Sequence, residues 1–320
     1  MRSRFMSYRS FSTFAIIAAI IAMAVSTVTV LPGCEAISIL TEPTYPSNRA
    51  PTLRAPGQRN LIVFAPGTTE GKKKYFAALD RLEIPYEVGL QINAYLPLRE
   101  HYPELISPER INARESFVKA EKEWNPKPPV IAYYDYEPNN GKWNWDVQRK
   151  GYSDADTRFF DRALAELRSY QRETGNTLPI GFYGQPVTRR DRAWTAQDKR
   201  DIINNKPMLD GFDWIVLSIY SRGSVVNDQT EAQHRQRIRT NWAFMQEAFP
   251  DRPVLTMVYL NEMQPDDRYG EVYFDELNKL GVSDVALWVN PDSMEETDFS
   301  IRRLQANADS IRAWLRGDSE

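Results

Sequence analysis

Residues 130–138 read Val-Ile-Ala-Tyr-Tyr-Asp-Tyr-Glu-Pro, and their alternation decides how the rest of the chain is read. In an extended strand, side chains two apart point to the same face. One face carries Ile131, Tyr133, Asp135 and Glu137; the other carries Val130, Ala132, Tyr134 and Tyr136. The first face begins apolar and ends in two carboxylates. Pro138 biases Glu137 toward extended backbone and ends the strand. A strand that is apolar along its length and acidic at its C-terminal end suits the mouth of a parallel (β/α) barrel. Such barrels build their sites from the C-terminal ends of their strands.

Working outward, similar β-rich runs fall at 61–65, 88–95, 179–184, 214–220, 254–260 and 285–290. Between them lie helical patterns. Phe159, Phe160, Ala163, Leu164 and Leu167 recur at helical spacing, and Gly175 closes that segment. Ile238, Trp242, Met245 and Phe249 form a second stripe that stops at Pro250. A capping-box-like start lies at Thr195 to Asp198, and Ile301, Leu304, Ala308, Ile311 and Leu315 mark a last helix. Strand–helix alternation of this kind predicts an α/β fold with a parallel sheet. The expectation is one (β/α) barrel of seven or eight strands over residues 59–320, close to the ~250 residues typical of that fold. An open doubly wound sheet is the alternative, but no Gly-rich phosphate loop follows any strand.

Four later strands also end in matched pairs. Gly181 and Tyr183 share a face, as do Ser218 and Tyr220, Met257 and Tyr259, and Ala286 and Trp288. With these faces inward, Tyr183, Tyr220, Tyr259 and Trp288 ring the mouth beside Glu137. Rings stack on the apolar faces of sugars, while carboxylates and hydroxyls take the hydrogen bonds. A single ring at a strand end is accounted for by packing alone. The pair Asp135/Glu137 is the sharper signal. Two adjacent carboxylates repel unless one holds a proton, and a protonated acid beside an ionised neighbour is what glycoside hydrolysis uses.

The first residues predict export. Arg2, Arg4 and Arg9 precede an uncharged apolar run from Phe14 to Val25. The run falls short of the ~20 apolar residues of a spanning helix, so residues 1–33 read as a signal peptide. Cys34 is the only cysteine, and it follows Leu31-Pro32-Gly33. That context resembles the lipobox of bacterial lipoproteins, which implies lipidation of Cys34 and a membrane anchor; plain secretion and an N-terminal anchor that is never cleaved are the alternatives. Residues 34–58 are rich in Pro, Ser, Thr and Arg and read as a linker. A lone cysteine excludes an intramolecular disulfide. The net charge of −3 gives no electrostatic ground for nucleic-acid binding. The only histidines, His101 and His234, show no metal-ligand spacing, and there is no Gly-x-Ser-x-Gly elbow. Neither a metal nor an organic cofactor is expected.

Four segments together resemble the hyaluronidases, glycoside hydrolase family 56. They are 130–138 with the following Trp143-Asn144-Trp145-Asp146, Gly181-Phe182-Tyr183-Gly184-x-Pro186, Ser218-Ile219-Tyr220, and Val285-Ala286-Leu287-Trp288. They occur in the family's order. The resemblance implies that Glu137 protonates the glycosidic oxygen. It implies that Asp135 holds the N–H of the substrate's 2-acetamido group, whose carbonyl oxygen then acts as nucleophile. This is an exception to the usual two-carboxylate scheme. Tyr183 and Tyr220 would contact the acetamido region, and Trp288 would floor the site. The disulfide cysteines of the animal enzymes are absent, 59–125 shows no match, and Asn261-Glu262 stands where an arginine is expected.

The substrate implied is a glycan containing N-acetylhexosamine. Arg189 and Arg190, with Arg192 and Arg222, follow two of the strand ends and suit the carboxylates of a uronic-acid polymer; a solvated charged loop explains them equally. Two other readings remain open. One is a two-carboxylate glycosidase that pairs Glu137 with another acid such as Glu262. The other is a surface lipoprotein that binds glycan without cutting it.

Overall fold

The computed structural model describes residues 58–93, 113–135, 154–183, 195–196, 199–200, 209–219, 226–260 and 268–318. Seven parallel strands close into a barrel in chain order. They are β1 (Asn60–Phe64), β2 (Glu87–Asn93), β3 (Pro129–Asp135), β4 (Ile180–Tyr183), β5 (Trp214–Ser218), β6 (Val254–Tyr259) and β7 (Asp284–Trp288). The ring is sealed where β1 pairs β7, with Ile62 opposite Ala286 and Phe64 opposite Trp288. Among the described residues, the helices outside are α1 (Thr69–Arg81), α2 (Ala113–Lys122), α3 (Asp154–Thr174), α4 (Glu231–Ala248), α5 (Tyr269–Lys279) and α6 (Met294–Arg316). The expected single barrel is therefore what the chain forms, with the lower of the two strand numbers.

The strands are largely apolar because the barrel interior and the helical layer each bury one face, with β2 and the end of β3 carrying polar residues on one face. Leu61, Val63, Leu90, Ile92, Ala132, Phe182, Leu217, Val258 and Leu287 belong to the buried core. Local chemistry starts and stops the helices. Thr68 caps α1 by accepting from Gly71 N at 3.1 Å, and Ser293 caps α6 by accepting from Glu296 N at 3.1 Å. Glu295 and Glu296 sit in the first turn of α6, where negative charge complements the helix dipole. Gly317, at φ 78°, ends α6 in the left-handed conformation that glycine adopts without steric cost. Along α6 the buried stripe runs Ile301, Leu304, Ala308, Ile311 and Trp314. Its last member is thus Trp314, three residues after Ile311, while Leu315 of the expected stripe is only partly buried. Helices α1, α2 and α5 had no counterpart in the helical patterns read from the sequence.

The N-terminal ends of the strands are locked by polar clamps. Asn60 Nδ2 donates to Asp284 Oδ1 at 2.6 Å across β1 and β7. Asp213, just before β5, accepts from Ile180 N at 2.8 Å and pairs with Arg168 at 2.9 Å. Arg252 donates to Phe212 O at 2.7 Å, and Arg59 donates to Trp314 O at 2.6 Å. The opposite end differs: Tyr183, Ser218, Tyr259 and Trp288, the final residues of β4 to β7, are all partly exposed.

Candidate active site

Strand register brings the C-terminal residues into one layer. Asp135 stands opposite Asn93, Tyr133 opposite Gln91 and Gly181, Tyr183 opposite Val216, and Tyr259 opposite Trp288. The faces predicted to point inward meet between neighbouring strands, β3 with β4 and β6 with β7, and β3 also meets β1. Tyr133 packs on Phe64 with ring centroids 4.6 Å apart and on Tyr183 at 5.6 Å. Tyr259 meets Trp288 edge-on at 4.6 Å. These rings fill the upper barrel and leave the last ones partly open to solvent.

Asp135 is buried, with 6% of its surface exposed. A buried carboxylate is costly unless it is hydrogen-bonded. Gln91 Nε2 donates to Asp135 Oδ2 at 2.7 Å. Gln91 Oε1 in turn accepts from the indole Nε1 of Trp288 at 3.0 Å. The two bonds join β7, β2 and β3 and orient the acidic end of β3 against the ring at the end of β7. Chemically the site offers an oriented carboxylate acceptor beside a partly open indole and two tyrosines.

Asp135, Tyr183, Tyr259 and Trp288 are thus gathered at one end of the barrel, as their strand positions imply. Glu137, Tyr220, Arg189, Arg190, Arg192, Arg222, Glu262 and Cys34 lie outside the described residues. Gln91 is the site residue that the sequence reading did not single out. A signal for it exists: in β2, Glu87–Asn93, the face shared by Gly89, Gln91 and Asn93 is small and polar, whereas Val88, Leu90 and Ile92 are apolar. Among the described residues no group of three or more His, Cys, Asp or Glu side chains is arranged to hold a metal ion.

No family model matches the chain, and no curated protein does. Solved structures do. Bee venom hyaluronidase in its monoclinic crystal form aligns with a TM-score of 0.53 at 14% sequence identity, covering 80% of this chain and 100% of that one. The bee venom enzyme in complex with a hyaluronic acid tetramer aligns at 0.49 and 14% identity, covering 79% and 98%. The likeness is one of fold. At such identity it carries no activity across by itself, because one barrel hosts many chemistries.

Proposed function

We propose that this chain is a glycoside hydrolase that cleaves a glycan containing N-acetylhexosamine, using the substrate's own acetamido group as nucleophile. The observation that carries the reading is the buried Asp135 carboxylate, tethered by Gln91 beside the rings of Tyr183, Tyr259 and Trp288. The Asp-x-Glu segment, with its family resemblance, and the barrel shared with a hyaluronidase support it.

In this mechanism the sugar stacks on Trp288, and Asp135 accepts the acetamido N–H. That bond turns the acetamido carbonyl oxygen toward the anomeric carbon. Glu137 donates its proton to the glycosidic oxygen as the C–O bond breaks, and the carbonyl oxygen forms the new bond to carbon. The resulting cyclic oxazolinium is opened by water, whose proton returns to Glu137. Tyr183 and Tyr220 would contact the acetamido region, and Tyr259 packs edge-on against Trp288. Arg189 and Arg190 pair with carboxylates where the polymer carries uronic acid. We also propose export with lipidation at Cys34; detergent-phase partitioning lost in Cys34→Ala supports it, and equal aqueous partitioning of both forms removes it.

The experiment is incubation of the chain with a panel of N-acetylhexosamine polymers, read as new reducing ends. Wild type is expected to release them and Glu137→Gln to release few. A folded wild type that cleaves none of the panel overturns the proposal.

A further inference from the structure

The geometry points to Gln91 as a positioning residue, whose amide, held by Trp288, sets the Asp135 carboxylate in the orientation that receives the acetamido N–H. The inference rests on the hydrolase reading above and adds a residue to it. Gln91 joins two groups to which the reading gives separate tasks: Trp288 beneath the sugar ring and Asp135 at its acetamido substituent.

The chemistry at both ends requires an amide. An indole N–H only donates, so it selects Gln91 Oε1. An ionised carboxylate only accepts, so it selects Gln91 Nε2. The distances, 3.0 Å to Trp288 and 2.7 Å to Asp135, fit that assignment at both ends. Rotation of the amide would break both bonds at once, so each partner fixes the other. Lysine at this position would donate to Asp135 but accept nothing from the indole. Glutamate would accept from the indole but could donate to Asp135 only when protonated. Asparagine is one methylene shorter and cannot keep both contacts from the same backbone.

The strand prepares the place for this side chain. Gly89 lies two residues earlier on the same face of β2. There the Phe64 ring occupies the space of a side chain, coming within 2.1 Å of an ideally placed Cβ. Phe64 also packs against Tyr133, the inward neighbour of Asp135. The packed ring, and not a neighbouring side chain at position 89, therefore supports the layer in which Gln91 crosses from β2 toward Trp288.

The test compares wild type with Gln91→Leu and Gln91→Glu, using the full chain and the glycan that wild type cleaves. Gln91→Leu is expected to lower kcat roughly 10–100-fold, the scale of a misplaced reacting group. KM should stay within about threefold, because the lost contact acts on the reacting geometry more than on ground-state binding. Gln91→Glu is expected to recover activity only toward acid pH, where the new carboxyl is protonated and can donate. A purely structural role predicts instead that both variants keep the wild-type pH profile and lose activity only in step with lost folding. The indole proton of Trp288, identified by its loss in Trp288→Phe, provides a readout independent of turnover. Its NMR resonance should move upfield in Gln91→Leu as the acceptor is removed. An active wild type matched in kcat by a folded Gln91→Leu overturns the role of Gln91. An unmoved indole resonance overturns the tether. A wild type that cleaves nothing while the resonance still moves overturns the hydrolase reading, and the catalytic role of Gln91 with it, but leaves the tether standing.

Discussion

The ring of Phe64 on β1 fills the place beside Gly89 on β2 where a side chain would stand, with its Cε1 2.1 Å from an ideal Cβ position. The contact is built of ring atoms inside a packed barrel, so neither partner has free space to move into. Gly89→Ala is expected to destabilise the fold by about 1–3 kcal/mol, the usual cost of overpacking a core. Phe64→Leu in the same chain should return part of that loss, because the smaller side chain vacates the contact. Urea unfolding of the two single variants and the double variant checks this. Strictly additive losses would show that the two positions do not share the space.

The barrel was legible because its strands repeat one pattern, an apolar run closed by a polar or aromatic residue. Asp135, Tyr183, Tyr259 and Trp288 follow from that pattern, since period-two alternation assigns a face without any knowledge of neighbours. Gln91 did not, because a polar residue within an apolar strand gains its meaning only from Trp288 and Asp135, 197 and 44 residues away. Helix α5 escaped for a related reason. Tyr269, Val272, Tyr273, Phe274, Glu276 and Leu277 are all buried, so its apolar stripe is interrupted by a carboxylate that is tolerated only because arginines of α4 meet it. The place of β1 beside β7 is likewise a closure between distant segments, visible only once Phe64 and Trp288 are paired.

That carboxylate gives a second prediction. Glu276 has 1% of its side chain exposed and accepts from Arg239 Nε at 2.5 Å and Nη2 at 3.0 Å. Arg235 adds a contact at 3.3 Å and also holds Glu231 at 2.7 Å. Glu276→Gln keeps the shape but removes the charge that two guanidinium groups face. A loss of about 1–3 kcal/mol is expected, the range for disrupting a buried hydrogen-bonded group. Denaturant unfolding of Glu276→Gln, Arg239→Gln and the double variant measures the coupling. A coupling below about 0.5 kcal/mol would mean that Glu276 and Arg239 contribute independently.

A third prediction concerns alkaline pH. Burial, reinforced by the nearby Asp80 carboxylate and a hydrogen bond to it, pushes the Tyr86 phenol up to about 12. Burial also raises the phenol of Tyr75. A raised phenol binds its proton more tightly in the folded chain than in the unfolded one, where it titrates near ~10. Its contribution to stability is therefore complete below pH ~10 and is lost as pH climbs from there through about 12. Urea midpoints measured between pH 9 and 11.5 should fall for wild type and fall less steeply for Tyr86→Phe. Identical slopes would show that Tyr86 does not couple ionisation to folding.

The last prediction concerns the nucleophile of the proposed reaction. On an extended strand, positions 135 and 137 lie ~6.6–6.8 Å apart along one face. In the proposed reading, carboxyls so placed would face the same side of a bound glycosidic bond, and neither would attack the sugar from the opposite side. An acetamido oxygen turned by Asp135 reaches the anomeric carbon from within the substrate itself. Cleavage should therefore require the 2-acetamido group, and the matched deacetylated polymer should bind yet react poorly. A thiazoline that mimics the cyclic intermediate should inhibit competitively. Glu137→Gln should lose on the order of 10²–10⁴ in kcat, the usual contribution of a positioned acid. Asp135→Asn should lose activity on the acetylated substrate through release of the acetamido group. The decisive measurement pairs hydrolysis of the two polymers with mass spectrometry after exposure to a 2-fluoro glycoside. Equal rates on both, or a covalent sugar on Glu262 or another carboxylate, would mean that the enzyme supplies its own nucleophile and works by the two-carboxylate route.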